Sequence, residues 1–221
     1  MRTSFLTFLL LASPSFAQQI VERGQTLSGC SEPDAKGKIR VEGTWLALGN
    51  GEIKKVDLFT NKGLVDARKK DSQYFLNAIP LKEGKVTNAS FSLLKINTEA
   101  RTEYAVKMNS DRYKFITWGP SEFAVLKEQS NGKFTAMPMQ GSEHVIPKSA
   151  YKIIHSAPDP DEAKHVHIIR AGDFNGDGIV DFLLGYSAKE AEGVHLLLSD
   201  AKSGGYSRRI TSATSYADCA M

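Results

Sequence analysis

The sequence predicts a mainly β fold built from antiparallel meanders. Short segments rich in β-branched and aromatic residues recur along the chain, separated by turn-forming residues. Three pairs of these segments flank short turns rich in Gly, Asn, Ser and Asp, which is typical of β-hairpins. Four further apolar segments follow one another between residues 165 and 210, and they predict a four-stranded antiparallel meander.

The first predicted hairpin lies near the amino terminus. Residues 38–48 and 53–60 are the two strands, and the Gly-Asn-Gly sequence at 49–51 is the turn between them. The stretch that follows, residues 66–77, is predicted to be helical or irregular.

Residues 86–96 form the next predicted strand. Its large apolar side chains are Phe91, Leu93 and Leu94. Because burial of apolar surface is the main driving force of folding, we expect these three side chains to lie in the core.

Two more hairpins and the carboxy-terminal meander complete the prediction. Their turns carry Asn-Ser-Asp and Ser-Asn-Gly, residue types that favour tight turns. The predicted strands are 103–108, 113–118, 122–127 and 133–137 for the hairpins, and 165–170, 180–186, 194–199 and 206–210 for the meander.

The first 17 residues have the three parts of a secretory signal peptide. Arg2 supplies a positive charge, an apolar run follows, and Ser15 and Ala17 place small residues at the −3 and −1 positions of a cleavage site. The apolar run is too short to cross a bilayer as a helix, and no later run approaches about 18 apolar residues. We therefore expect a periplasmic or secreted protein without a transmembrane helix, in which residues 18–221 form a single β-rich domain.

The two cysteines, Cys30 and Cys219, lie near opposite ends of the predicted mature chain. In an oxidising compartment an even number of cysteines favours a disulfide, which here would close almost the whole domain. A competing prediction comes from residues 27–30, Leu-Ser-Gly-Cys, which have the shape of a lipoprotein cleavage box. We therefore expect Cys30 to be either bonded to Cys219 or lipidated, with two unrelated buried thiols as the less favoured alternative.

The charges of the chain do not indicate a polyanionic partner. Lys and Arg number 28 and Asp and Glu number 25, and both signs are scattered without a basic block. This pattern argues against binding to nucleic acid or to an anionic membrane. The sequence leaves the oligomeric state and the identity of a partner, a protein or a glycan, undetermined.

Residues 173–181, Asp-Phe-Asn-Gly-Asp-Gly-Ile-Val-Asp, form the strongest motif of the chain. The side chains of Asp173, Asn175, Asp177 and Asp181 place oxygens at loop positions 1, 3, 5 and 9, and the Ile179 carbonyl can supply another at position 7. Calcium takes six to eight oxygen ligands in a flexible shell. Since the carboxylates would repel one another without a cation, the motif predicts one bound Ca²⁺.

The flanks of this loop decide between two kinds of calcium site. A helix-loop-helix site needs flanking helices and a glutamate at position 12, where this chain has Leu184. The apolar residues that follow Asp181 instead have the character of a strand. The flanks therefore favour a strand-loop-strand site.

Residues 165–199 resemble an FG-GAP/VCBS-type repeat of a bacterial envelope protein. The similarity rests on the Asp-x-Asn-x-Asp-Gly-x-x-Asp loop followed by an apolar strand that ends at Gly185. The resemblance implies one blade of a β-propeller, with calcium bound by the four matching side chains of the loop. No second copy of the motif occurs in the chain. We therefore expect either a small or degenerate propeller-like arrangement or a sandwich.

Three histidines are a weaker candidate for a second metal site. His165 and His167 alternate along one predicted strand, and His195 belongs to a nearby one. Imidazoles at this spacing can bind zinc or copper, although exposed or packed histidines explain the pattern more simply.

Two functions from different classes agree with these features. The first is an exported calcium-binding β-protein that acts as a structural module or contacts a protein or glycan. The second is an envelope hydrolase with an unrecognised active site, although the chain contains no Gly-x-Ser-x-Gly, His-Glu-x-x-His or phosphate-binding loop. No catalytic residue is predicted.

Overall fold

The structure is a computed structural model. The predicted signal peptide, Cys30 and Cys219 lie outside the residues that it describes, and so do the disulfide and lipidation alternatives. The described residues are 19–22, 38–40, 44–49, 51–61, 64–67, 73–77, 79, 81–96, 101–117, 123–139, 165–188 and 191–215.

The described residues form strands and turns, and no helix occurs among them. Every strand ladder is antiparallel, which confirms the predicted mainly β fold with antiparallel meanders. The strands are Gln19–Glu22 (β1), Lys38–Arg40 (β2), Trp45–Leu48 (β3), Glu52–Val56 (β4), Leu58–Asn61 (β5), Leu64–Ala67 (β6), Tyr74–Asn77 (β7), Gly84–Lys85 (β8), Thr87–Asn88 (β9), Ser90–Ile96 (β10), Thr102–Met108 (β11), Asp111–Thr117 (β12), Phe123–Glu128 (β13), Phe134–Ala136 (β14), His165–Asp173 (β15), Asp181–Ala188 (β16), Ala191–Asp200 (β17) and Gly205–Ser215 (β18).

These strands are arranged in four sheets within the described ranges. We name them the N-terminal sheet (order β1-β7-β3-β4-β8), the small sheet (β2-β5-β6), the meander sheet (β10-β11-β12-β13-β14) and the central sheet (β18-β17-β16-β15-β9). The central sheet contains the four-stranded meander that the sequence predicts.

Three hairpins are present at the predicted turns, although the first is shorter than predicted because residues 38–40 and 58–61 form strands of the small sheet. The turns have the expected backbone. Gly51 and Gly132 adopt left-handed φ angles of 75°, and Asn109 adopts a φ of 55°. Glycine has no Cβ to clash in this region, and asparagine tolerates it better than most residues. The turn residues therefore join β3 to β4, β11 to β12 and β13 to β14 as the sequence predicts.

The prediction for residues 66–77 is wrong. This stretch contributes to two strands, the end of β6 and all of β7. The four residues of β7 are all buried, and this strand pairs with both β1 and β3. A strand buried on both faces lacks the alternation of apolar and polar residues that identifies a strand in a sequence.

The predicted burial of Phe91, Leu93 and Leu94 is also wrong. All three side chains are exposed, although they lie in a strand as expected. The physical reason is their position, because β10 is an edge strand of the meander sheet with one neighbouring strand among the described residues.

The sheets stack face to face, with the central sheet between the meander sheet and the N-terminal sheet. One core joins the central and meander sheets, where the rings of Phe115 and Phe182 are 5.2 Å apart. A second core joins the central and N-terminal sheets and includes Leu76 and Leu183. A third lies between the N-terminal and small sheets. Apolar cores between successive sheets occur in a sandwich and between the blades of a propeller, so the choice between the two predicted arrangements stays a prediction.

The sequence of β16 and β17 explains why the central sheet is covered on both faces. Phe182 and Leu184 point into the core with the meander sheet, and Leu183 between them points into the core with the N-terminal sheet. Continuous apolar runs are the pattern expected of strands with two buried faces.

In the described part of the chain, no helix has the length and hydrophobicity that crossing a membrane requires.

Candidate metal centre

The Asp/Asn/Gly motif connects two neighbouring strands of the central sheet. Asp173 is the last residue of β15 and Asp181 is the first residue of β16. Between them Gly176 and Gly178 have φ angles of 79° and 85°. These left-handed conformations bend the chain sharply at little steric cost. The motif is thus a strand-loop-strand element, as its flanks predict.

Two apolar residues fix the ends of the loop to opposite cores. Phe174 is buried in the core with the N-terminal sheet, and Val180 is buried in the core with the meander sheet. Both side chains have almost no solvent exposure. Packing of these two side chains therefore holds the loop at its second and eighth positions.

The Asp173 carboxylate is surrounded by backbone N–H groups of its own loop. Its Oδ1 accepts hydrogen bonds from the N–H groups of Gly176 at 2.6 Å and Asp177 at 3.0 Å, and its Oδ2 accepts one from Gly178 at 3.0 Å. These bonds close the first half of the loop around the carboxylate.

Asn175 and Asp177 continue this pattern with short local turns. The Asn175 Oδ1 accepts the Asp177 N–H at 3.0 Å, and the Asp177 Oδ1 accepts the Ile179 N–H at 2.8 Å. Each bond spans two residues, which is the geometry of an Asx turn. Two further contacts reach the end of β17 and the turn after it: the Asn175 Nδ2 donates to the Ser199 carbonyl at 2.8 Å, and the Ala201 N–H donates to the Asp177 Oδ2 at 3.0 Å.

Asp181 is completely buried and accepts four hydrogen bonds. The N–H groups of Phe174 and Asn175 donate to Oδ2 at 2.6 and 3.2 Å, and the N–H and Oγ of Ser199 donate to Oδ1 at 2.7 and 2.6 Å. Burial raises the pKa of this carboxyl from 3.8 to about 7. The bonds from Ser199 and Phe174 oppose that rise in pKa, whereas the charge of Asp177 adds to it.

Ser199 is the residue of this site that the sequence analysis missed. Its Oγ lies 2.6 Å from Asp181 Oδ1, 3.0 and 3.1 Å from the two carboxylate oxygens of Asp177, and 3.4 Å from the Ile179 carbonyl oxygen. A hydroxyl has one proton, so it can donate to only one of these four oxygens at a time. Oxygens of Asp177, Ile179 and Asp181 thus lie together around the Ser199 hydroxyl.

The position of Ser199 depends on the pairing of β17 with β18. The register of this pair shifts between Leu198 and Ser199. Such irregularities bend a strand and re-aim its side chains. In the sequence Ser199 is only the polar end of an apolar strand, so no local signal marks it; its role becomes visible once the neighbours of the loop are known.

Among the residues that the structure describes, the negative charge of the loop has no strong counter-charge. Asp173, Asp177 and Asp181 make no ion pair with any lysine or arginine among the described residues. One lysine does lie beside the loop. A Cβ placed on Gly176 would be 2.6 Å from the Lys82 Cδ and 3.4 Å from its Nζ, so the aliphatic chain of Lys82 crosses that glycine.

Two buried tyrosines form the apolar side of the site. The Tyr206 hydroxyl donates to the Val180 carbonyl at 2.8 Å, and the Tyr113 hydroxyl donates to Asp111 at 3.2 Å. Burial is the main cause that raises the pKa of both phenols, and the charge of Asp177 raises them further. These tyrosines therefore stay neutral and leave the charge of the loop uncompensated.

The donor set fits a hard cation, because every candidate ligand atom is an oxygen. In the described residues no group of three or more His, Cys, Asp and Glu side chains is placed to hold a metal. A cation in this loop would consequently need the Asn175 amide oxygen and the Ile179 carbonyl oxygen as well as the carboxylates. Both belong to ligand types that calcium accepts.

The histidines are not brought together. His167 pairs with Gly185 and His195 pairs with Leu184, so the two histidines lie on opposite faces of the central sheet. His167 is exposed, whereas His195 is buried. A Cβ on Gly185 would lie 2.5 Å from the His167 ring, so this ring lies directly against the glycine. The side chain of His165 lies outside the described part of the chain.

Comparisons with known proteins return no match. No family model, no curated protein and no solved structure is similar to this chain at a significant level.

Proposed function

We propose that this chain is an exported calcium-binding β-protein that acts as a structural or interaction module. In this proposal one Ca²⁺ is held by Asp173, Asn175, Asp177 and Asp181 and by the Ile179 carbonyl, as in the FG-GAP/VCBS repeats that the motif resembles. The main support is the uncompensated charge of the loop. Its three carboxylates lie within nine residues and make no ion pair with a lysine or arginine of the described residues.

Calcium is favoured over magnesium by the kind of ligands in the loop. Carboxylate, amide and backbone carbonyl oxygens suit a flexible shell of six to eight ligands at about 2.3–2.6 Å. Magnesium requires a smaller octahedral shell and usually keeps several waters. A loop with five candidate donor residues therefore fits Ca²⁺ better.

The role of the ion in this proposal is to brace the central sheet. The loop joins β15 to β16, and its contacts with Ser199 and Ala201 reach the end of β17 and the turn to β18. An ion among the oxygens of Asp177, Ile179 and Asp181 would stabilise this end of all four strands. Outside the cytoplasm a dissociation constant of about 10⁻⁴–10⁻³ M is enough to keep such a site filled.

Thermal unfolding tests the proposal directly. We expect millimolar Ca²⁺ to raise the melting temperature of the full chain and a chelator to reverse this, with Mg²⁺ having a smaller effect. Asp177→Ala is expected to remove most of the gain. Asp200→Ala is the matched control, because Asp200 is an aspartate near the loop whose Oδ1 accepts only the Lys202 N–H. A parent protein whose melting curve ignores both Ca²⁺ and chelator would refute the calcium part of the proposal.

A further inference from the structure

The edge strand β10 exposes large apolar side chains. Phe91, Leu93 and Leu94 are 40%, 49% and 52% exposed, and they are three of the four large apolar side chains exposed among the described residues. The strand pairs with β11 on one side, and no described strand pairs with its other side. Its outer backbone N–H and C=O groups are therefore available to another strand.

One face of β10 continues the apolar core. Phe91 pairs with Val106 and Leu93 pairs with Tyr104, and both partners belong to the core between the meander and central sheets. Residues paired directly across two strands lie on the same face of a sheet. An open depression of about 380 Å³ adjoins this strand at Phe91, and its lining is mixed, with Ile169 and Ala171 beside Asn88 and Arg170. On this face the apolar side chains of an added strand would contact Phe91 and Leu93 themselves.

The opposite face of β10 carries small polar side chains and leads to basic ones. Ser90 pairs with Lys107, and Ser92 pairs with Ala105, which in turn pairs with Lys114. A groove of about 460 Å³ lies at these strands, and its lining includes the exposed Leu94 of β10 as well as Lys107, Arg112, Lys114 and Phe134. Because Ser90 is small, Lys107 on the neighbouring strand can reach across it, whereas Lys114 belongs to the next strand along the sheet.

The charges on this face are not balanced. Arg112 pairs with Glu128 at 3.2 Å, so its charge is largely neutralised. The Lys114 ammonium lies over the Phe134 ring at 4.6 Å, and Lys107 is exposed; neither lysine has a carboxylate partner among the described residues. The groove consequently carries an excess of positive charge that favours a negatively charged ligand.

We propose that β10 is a strand-addition site for an extended segment of a partner protein in which apolar and acidic residues alternate. Backbone hydrogen bonds would extend the meander sheet, and the period of two would send apolar side chains to the Phe91 and Leu93 face and carboxylates to the Lys107 face. Strands lie about 4.8 Å apart, so a residue added beside Ser90 is about 10 Å from the Lys107 backbone, a distance that a glutamate and a lysine span together.

A second copy of this chain fits the site poorly. The sequence of β10 is Ser-Phe-Ser-Leu-Leu-Lys-Ile, which contains a lysine and no acidic residue. Pairing two copies along this edge would bring Lys107 and Lys114 of both copies to the same region, where like charges repel. Charge complementarity therefore selects a different, acidic partner.

The inference deepens the interaction role in the proposed function, and it can be tested without calcium. The probe is a labelled nine-residue peptide that alternates valine with glutamate, and the control peptide has lysine at every glutamate position. Binding to the full chain is measured by fluorescence anisotropy in Ca²⁺ and in chelator, and hydrogen exchange of the β10 amides is recorded with and without the peptide. Sodium alginate serves as a competing polyanion without a peptide backbone.

We expect the glutamate peptide to bind more tightly than the lysine peptide and to protect amides of β10 from exchange. Lys107→Glu is expected to weaken binding about three- to tenfold, because one attraction becomes a repulsion. Its control is Lys133→Glu at the exposed β13–β14 turn. Leu93→Lys is expected to weaken binding as well, with Leu64→Lys as its control, since Leu64 is the fourth exposed large apolar residue.

Three results would overturn the inference. These are absence of peptide binding, equal binding of the two peptides, and binding of alginate that depends on Lys107 without protection of any β10 amide. The last result would assign the groove to a polyanion instead. Calcium-dependent melting together with failed peptide binding would refute only this inference, whereas peptide binding with a calcium-independent melting curve would refute only the calcium site.

Discussion

The Ser199 hydroxyl lies 2.6 Å from Oδ1 of Asp181, and the Ser199 backbone N–H donates to the same oxygen at 2.7 Å. This double contact joins the acidic loop to β17. It also places the hydroxyl among oxygens of Asp177 and Ile179. The stability of the loop and its affinity for a cation should therefore respond to changes at a residue 18 positions away in the sequence.

Replacing Ser199 with alanine tests this coupling. The backbone bond to Asp181 is retained, but the hydroxyl is lost, so we expect the free energy of unfolding to fall by about 1 kcal/mol. We also expect a smaller stabilisation by Ca²⁺, measured by urea denaturation with and without the ion. Ser203→Ala is the control, because its hydroxyl contacts only the Asp200 carbonyl in the neighbouring turn. Equal effects of the two substitutions would contradict the role of Ser199.

The raised pKa of Asp181 predicts a pH dependence of stability. The folded pKa is about 7 and the ordinary value is 3.8, so between these pH values the folded state binds more protons than the unfolded state. The free energy of unfolding without calcium should therefore fall as the pH rises from about 4 to about 7. In Asp181→Asn, which cannot titrate, this part of the slope should disappear. Unchanged slopes in parent and variant would argue against the raised pKa.

Calcium is expected to reverse this fall in stability with rising pH, because only the ionised form of the Asp181 carboxyl is a good ligand. The stabilisation by Ca²⁺ should be larger at pH 8 than at pH 5.5. Thermal unfolding of the parent protein at the two pH values, with and without the ion, measures this difference.

Lys82 provides a test through charge alone. Its side chain crosses Gly176 beside the loop, and its positive charge opposes the binding of a cation. We expect Lys82→Met to increase the affinity for Ca²⁺ about two- to fivefold, as measured by isothermal titration calorimetry, because a like charge near a surface site costs a fraction of a kcal/mol to about 1 kcal/mol. Lys85→Met changes the net charge equally and is the control. An increase of the same size in both variants would mean that only net charge matters.

Substitutions at Phe174 and Ile179 distinguish the contribution of core packing from that of binding to the ion. Phe174 is buried in the core with the N-terminal sheet, so Phe174→Ala should lower the free energy of unfolding by about 3–5 kcal/mol with or without calcium. Ile179 is only partly buried, and Ile179→Ala keeps the backbone carbonyl that is the candidate ligand. We expect the second substitution to cost much less and to preserve the response to Ca²⁺. Chemical denaturation measures both, and a loss of that response in Ile179→Ala would contradict the assignment of its carbonyl.

Several elements of the fold could be predicted because their signals are local. The hairpin turns at Gly51, Asn109 and Gly132 need residue types that tolerate a left-handed backbone, and these types are visible in the sequence. The strand β7 could not be recognised, since all four of its residues are buried and it shows no alternation. The exposure of Leu93 was likewise unpredictable, because an apolar edge strand and an apolar core strand have the same composition.

The sequence by itself determined the β class, the hairpin turns and the oxygen-rich loop from Asp173 to Asp181, because alternation, turn chemistry and ligand spacing are properties of neighbouring residues. The tertiary structure alone decided that Ser199 joins this loop, that His167 and His195 lie on opposite faces, and that β10 is an open edge. These relationships depend on which strands pair and in which register. Pairing is set by packing of whole sheets against one another, and no short segment of the chain contains that information.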